Sequence, residues 1–237
     1  MLAWILWPAL AYLAGSVPTG VLLGRLVGRD PRTAGSGNIG ASNVTRTLGK
    51  KLGAVTLVVD VFKGALPVLL ARHFADEDVA ALAGFAAVVG HCYPVWLRLS
   101  GGKGVATAFG AMLALVPVIA GIGALTWAFA LALTRTPAIG SLLAAALFVP
   151  LLHLQPHPLS LHLFALAVLG LIVVRHRSNL MVLRQRWRSA RARKQRRFKP
   201  RRRDRGEPGA VSASGKPTAT GNRAPKRGVR RPPPGRK

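Results

Sequence analysis

Between residues 2 and 174 the chain is a succession of long apolar runs, and this alternation restricts its fold more than any other feature. The runs fall at about 2–24, 52–72, 79–97, 104–118, 119–134, 138–153 and 159–174. Closely spaced apolar segments of this kind predict an all-α, polytopic membrane protein. Several are shorter than the roughly 20 residues that an upright span needs, and the two around Pro117 admit one broken helix as an alternative. No basic stretch precedes the first run, so it reads as a membrane span and not as a signal peptide.

Charge sets the direction of threading. Alternating connections from an outward N-terminus collect Arg25, Arg29, Arg32, Arg46, Lys50, Lys51, Arg98, Lys103, Arg135, Arg175 and Arg177 on one side. The other side receives Arg72, the acidic Asp76-Glu77-Asp78 and the nearly uncharged stretch 153–158. Basic residues gather on the cytoplasmic side of membrane proteins. The expectation is therefore seven transmembrane helices, N-terminus out and C-terminus in, with the basic loops on the cytoplasmic face of an inner membrane. Six helices would send Arg135 and the C-terminal segment to the opposite side.

The formal charge of +27 sits mostly outside the apolar part. Residues 1–183 hold 13 Lys and Arg against five acids, and residues 184–237 hold 21 against two. The chain thus divides into a membrane domain, 1–183, and a basic cytoplasmic tail, 184–237, too poor in large apolar residues to build a core. Basic tails can bind nucleic acid, but Trp187 and Phe198 are the only aromatics here and no nucleic-acid-binding module is recognisable. Nucleic acid is the disfavoured partner. An anionic inner leaflet attracts a basic cluster placed just inside the last span, and membrane lipid is the expected partner. The single cysteine, Cys92, excludes an internal disulfide.

The inward loops share a chemistry. The first reads Ala34-Gly35-Ser36-Gly37-Asn38-Ile39-Gly40-Ala41-Ser42-Asn43-Val44-Thr45-Arg46-Thr47, and the second passes through Gly90-His91-Cys92-Tyr93-Pro94 to Ser100-Gly101-Gly102-Lys103-Gly104-Val105-Ala106-Thr107. Glycine lets backbone amides approach an anion closely, and a helix start adds unpaired donors. Lys103 supplies a point charge and Arg46 a planar fork suited to phosphate. The third loop adds Thr134, Arg135, Thr136 and Ser141, and the last adds Arg175-His176-Arg177-Ser178-Asn179. Together they suit phosphorylated substrates at a membrane face. Glycines also serve close helix packing, and basic inward loops follow from topology alone. Asp60 and Lys63, on one helix face, read as a neutral structural pair inside the second run.

Other motifs lead nowhere. Gly35-Ser36-Gly37-Asn38-Ile39-Gly40 fits G-x-G-x-x-G, but it follows a membrane segment and opens no βαβ unit. Gly104 follows Lys103 where a Walker sequence requires Ser or Thr. No HExxH, paired cysteines or clustered acids point to a metal, and no cofactor is expected. His73 and Asp78 have the H-x-x-x-x-D spacing of a second class of acyltransferase, but the charge asymmetry puts them on the outer face. A phosphorylated-solute transporter would use the same spans, yet it would place charges near mid-membrane on several helices, and only Asp60 and Lys63 qualify.

The run from Gly35 to Val44 with Arg46, then Asp60 and Lys63-Gly64, then Gly90-His91 to Pro94, then the run from Gly101 to Thr107, resembles the bacterial acyl-phosphate:glycerol-3-phosphate acyltransferases. The likeness covers residues 1 to about 183. It implies a seven-helix membrane enzyme without cofactor, with acyl phosphate and glycerol-3-phosphate as substrates and lysophosphatidate as product. By motif it implies catalytic roles for Ser36, Arg46, Lys103, Ser141, His176 and Asn179. Gly37, Asn38, Asn43, His91, Gly101, Gly102, Gly104 and Thr107, from the same motifs, are expected to bind substrate. Either His176 or an oxygen of the acyl phosphate would take the proton of the glycerol hydroxyl. Ser42 stands where the family usually has threonine. Thr136-Pro137-Ala138 replaces a stretch where tyrosine and an extra serine are common, and the usual Gly-Thr-Glu after Asn179 gives way to the basic tail.

Overall fold

The structure, a computed structural model, describes residues 1–197, and every regular element among them is helical. The chain runs through α1 (Leu2–Ser16), α2 (Thr19–Leu26), α3 (Ala41–Leu48), α4 (Lys50–Phe74), α5 (Glu77–Cys92), α6 (Val105–Leu115), α7 (Pro117–Thr134), α8 (Pro137–Leu152), α9 (Leu159–Arg175) and α10 (Arg177–Arg197). Residues 198–237, most of the basic tail, lie outside the described residues. The expected domain boundary at 183/184 falls inside α10, because its Arg, Gln, Lys and Ala residues are good helix formers. Met1–Arg193 forms one compact unit; of the second, Lys194–Lys237, the described part is the end of α10.

Four segments are long and apolar enough to cross a membrane: Leu2–Leu26, Lys50–Phe74, Glu77–Leu97 and Pro117–Thr134. Val105–Leu115, Pro137–Leu152 and Leu159–Arg175 are shorter apolar helices. Leu2, Ile5, Val58, Phe62, Val118, Leu125, Phe129 and Leu133 lie on the surface. A water-soluble fold would hide so broad an apolar perimeter.

The ends of the helices follow from local chemistry. The first apolar run breaks at Val17-Pro18 because proline supplies no backbone donor, and the Val17 carbonyl at the break accepts from Lys63 Nζ at 2.9 Å. Asp76 caps α5 by accepting from the Val79 amide at 2.8 Å, and Glu77 and Asp78 complement the positive end of that helix. Pro117 and Pro137 open α7 and α8, positions where a missing N–H costs nothing. Val116 separates α6 from α7, so the two apolar runs around Pro117 are two helices.

The core is built from alanine and valine more than leucine, and helices approach through glycine. A Cβ on Gly64 of α4 would strike the Thr107 carbonyl of α6, and one on Gly110 of α6 would strike the Val61 carbonyl of α4. Gly15 of α1 and Gly90 of α5 make a second reciprocal contact. Such backbone-to-backbone packing holds helices together where the hydrophobic effect between them is absent. It fixes the end of α5, through Gly90, and the start of α6, through Thr107, between which the glycine loop runs.

Candidate active site

The glycine loop between α5 and α6 is held on both sides. The Gly101 amide donates to the Cys92 carbonyl at 3.2 Å and the Gly102 amide to the His91 carbonyl at 3.0 Å. From the other side, Arg175 at the end of α9 donates through Nε to the Gly102 carbonyl at 2.9 Å and through Nη2 to the Gly101 carbonyl at 2.7 Å. The guanidinium also lies over the Tyr93 ring, 5.0 Å from its centroid. The amides of Gly101 and Gly102 are thus engaged in building the loop. Gly104 closes it at φ +77° and caps α6 in a left-handed conformation that favours glycine.

Lys103 leaves this loop as a half-buried side chain, and its Nζ donates to Asn179 Oδ1 at 2.6 Å. Burial, and then the nearby charge of Arg175, hold its ammonium below the ordinary lysine range. Asn179 lies in the first turn of α10, three residues after His176. His176 sits at the join between α9 and α10 and is buried, with Nδ1 2.9 Å from the Ile172 carbonyl. A carbonyl can only accept, so Nδ1 carries the proton and Nε2 keeps the lone pair. Burial lowers the affinity of this imidazole for a second proton; the Ile172 bond opposes that, and the charge of Lys103 reinforces it.

Behind the loop, a Cβ on Gly102 would collide with His91 Nε2. The other ring nitrogen of His91 lies 3.8 Å from Asp60 Oδ1, which pairs with Lys63 Nζ at 2.9 Å. The pair expected from the sequence therefore forms, and it extends from the α1–α2 break through α4 to the glycine loop.

The first loop is organised by Asn43. Its Nδ2 donates to the carbonyls of Pro31 and Asn38, both at 2.8 Å, and Ala34 at 3.2 Å, while its Oδ1 accepts from the Ser36 amide at 2.8 Å. Every polar atom of this buried amide is engaged with backbone groups of the loop. Asn38 Oδ1 accepts from the Gly40 amide and starts α3. Ser36, Gly37 and Arg46 are left exposed, the last in the final turn of α3.

Two expected residues lie elsewhere. Ser141 Oγ donates to the Pro137 carbonyl at 2.9 Å and accepts from Trp127 Nε1 at 3.3 Å, so it belongs to the α7–α8 hairpin. Thr107 is fully buried at the α4–α6 contact, its hydroxyl without a partner among the described residues. Tyr93 and Trp127 receive no role from the sequence, and Arg175 reads there only as one of the basic groups of the last loop; their contacts depend on how the chain folds. Between α1–α2 and the turn after α5 lies a cavity of about 290 Å³ lined by Val17, Pro18, Val21, Leu22, Trp96 and Leu97, with Arg25 its one cation. Gly20 of α2 packs against Ile39 and Val44, so this cavity backs onto the first loop.

A family model described as glycerol-3-phosphate acyltransferase matches residues 5–186. A glycerol-3-phosphate acyltransferase of Myxococcus xanthus is 51% identical over 180 residues, 75% of this chain and 94% of that one. Its counterpart in Trichlorobacter lovleyi is 45% identical over 182 residues, 76% and 93% of the two chains. Among solved structures, the glycerol 3-phosphate form of PlsY (YgiH), an integral membrane glycerol 3-phosphate acyltransferase, matches with TM-score 0.74 and 38% identity. Its lysophosphatidic acid form matches with TM-score 0.72 and 37% identity; each match covers 77% of this chain and 92% of the solved one.

Proposed function

The chain belongs to the glycerol-3-phosphate acyltransferase family, and on that premise we propose the donor, the membrane face and the residues of its reaction. The protein is a membrane acyltransferase of phospholipid synthesis that acylates glycerol-3-phosphate. In our reading the donor is acyl phosphate, the acceptor is the 1-hydroxyl, and the products are lysophosphatidate and phosphate. The observation that carries the site is the contact between Lys103 and Asn179, 76 residues apart, beside Arg175 and His176. It gathers cations and a neutral imidazole at one end of the helices, as a reaction between two phosphorylated substrates needs.

An acyl phosphate is already activated, so the enzyme must chiefly hold two anions against each other, which can contribute several kcal/mol. Lys103 and Arg46 neutralise the phosphates. The glycerol oxygen attacks the acyl carbonyl carbon; an ester C–O bond forms, the C–O bond to phosphate breaks, and phosphate leaves with the electron pair. The hydroxyl proton passes to His176 Nε2, the atom left as acceptor by the Nδ1 bond to Ile172. Asn179 holds Lys103, and Ser36 completes the donor set with the loop positions Gly37, Asn38 and Gly104; Ser141 and Thr107 support the helices behind it. Asn43, His91, Gly101 and Gly102 shape the loops. The apolar cavity with Arg25 suits the acyl chain and head of an amphiphilic donor.

The seven apolar helical segments are threaded with the N-terminus outward and these loops on the cytoplasmic face of the inner membrane. The basic segment from residue 184 lies against the anionic leaflet, each basic residue near the surface contributing about 1 kcal/mol. Deleting residues 190–237 should then weaken association with anionic vesicles and leave acyl transfer within a few-fold; abolished transfer by stably inserted protein would refute that division.

The deciding assay supplies purified protein with glycerol-3-phosphate and, separately, acyl phosphate, acyl-CoA or acyl-carrier protein. Product from acyl phosphate alone is expected. Product only from a thioester would overturn the donor assignment.

A further inference from the structure

We propose that Arg175 is a positioning residue of this reaction: its guanidinium fork shapes the glycine loop and so delivers Lys103 to the substrate phosphate. The inference rests on the glycerol-3-phosphate reading and extends it to a residue that would itself touch no reacting atom.

Arg175 makes its two hydrogen bonds to the carbonyls of consecutive residues, Gly101 and Gly102, at 2.7 and 2.9 Å. Lys103 is the next residue. The amides of the same two glycines are drawn the other way, to the carbonyls of Cys92 and His91. The loop is thus stretched between the end of α5 and the end of α9, and neither glycine has a Cβ to stiffen it. Without the fork, two carbonyl oxygens would be left beside a site that must accept an anion, and the residue before Lys103 would lose its anchor.

The geometry asks for arginine. Nε and Nη2 lie on one edge of a planar group, which can serve two carbonyls in fixed directions, while an ammonium is a point donor on a flexible stem. The guanidinium plane is held by Tyr93, whose carbonyl in turn accepts from the Tyr12 hydroxyl at 2.9 Å. Arg175 also directly precedes His176 and caps α9 with positive charge, favourable at a helix C-terminus. One residue thereby ties the phosphate loop to the segment that carries His176 and Asn179.

The test compares wild type, Arg175→Lys and Arg175→Gln in nanodiscs. It measures glycerol-3-phosphate binding by calorimetry without donor, then KM and kcat, then thermal melts. The expected result is KM for glycerol-3-phosphate raised at least about tenfold in both variants, with kcat changed much less and melting nearly unchanged. Binding should weaken in parallel. Repeating Arg175→Lys in a Lys103→Met background should add almost nothing, because the effect passes through Lys103. Unchanged KM and binding in Arg175→Lys, or equal losses in both backgrounds, would overturn the inference. So would a fall of kcat alone that tracks lost melting temperature. Wild-type protein that binds no glycerol-3-phosphate would overturn the substrate reading itself, and this inference with it.

Discussion

Lys103 Nζ and Asn179 Oδ1 are 2.6 Å apart, joining the start of α6 to the start of α10. An ammonium has three donors, so this bond orients Lys103 without exhausting it, and a neutral amide leaves its charge available. Asn179→Asp changes few atoms but turns the partner into a carboxylate that competes with phosphate for the same cation. The expected loss in kcat/KM is about ten- to a hundredfold, carried mainly by KM, from the roughly 1.5–3 kcal/mol of a charge-assisted bond. Steady-state kinetics with each substrate varied in turn read this out. Near-normal KM in Asn179→Asp would mean that Lys103 does not face a phosphate.

His176 makes a prediction in pH. Burial, opposed by the Ile172 bond and reinforced by Lys103, holds its pKa below the ordinary 6.5. A base must be neutral, so the acid limb of kcat/KM should fall below pH 6.5 and vanish in His176→Gln, whose activity should drop about 10²–10⁴-fold. The sign for stability is the same. The unfolded chain takes up this proton more readily than the folded one, so the contribution is complete above 6.5 and is lost as pH falls beneath it. An unchanged acid limb in His176→Gln would transfer the role of base to another group.

The sequence shows the loops more clearly than the contacts between them. The apolar runs mark out the segments that became α1–α2 and α4 through α9, because a long apolar helix is specified locally. The break at Val17 inside the first run is not expected from the sequence, and Pro117 leaves open whether its two runs form one broken helix or two; the structure breaks the helices at Val17 and Val116. Partners distant along the chain are another matter. Nothing in Gly101-Gly102 tells that their amides turn inward to α5 while their carbonyls meet Arg175, since glycine carries no side-chain signal. Asn43 is expected to bind substrate from its motif alone, and the motif does not reveal that its four bonds go to neighbouring backbone groups. Ser141 was grouped with Lys103 by motif; its partners, Pro137 and Trp127, depend on how α7 meets α8.

Topology offers a direct test. Asp76 caps one end of α5 and His91 lies near the other, about 22 Å away at 1.5 Å per residue. On the proposed threading, with eleven basic residues inward, His91 lies at the cytoplasmic face and Asp76 outside. A reporter inserted at Asp76 should be external, and one fused at residue 183 cytoplasmic. A cytoplasmic Asp76 would reverse the threading and remove the active loops from the side where phosphorylated substrates are made.

Gly102→Ala probes the join between the buried polar chain and the loop. The added methyl would land on Nε2 of His91, a ring only 4% exposed and backed by Asp60. The ring cannot swing toward solvent, so the loop must shift and the Arg175 and Lys103 contacts with it. Overpacking of this kind typically costs about 1–3 kcal/mol. We expect Gly102→Ala to lower melting temperature and, by displacing Lys103, to cut kcat/KM by about tenfold or more. His91→Ala removes the ring and leaves room for the methyl. Gly102→Ala should therefore cost much less in a His91→Ala background than in wild type, measured by melting and by kcat/KM in a double-mutant cycle. Equal costs in the two backgrounds would show that the His91 ring does not set the position of Gly102, and that the loop is held by its backbone bonds to α5 and by Arg175.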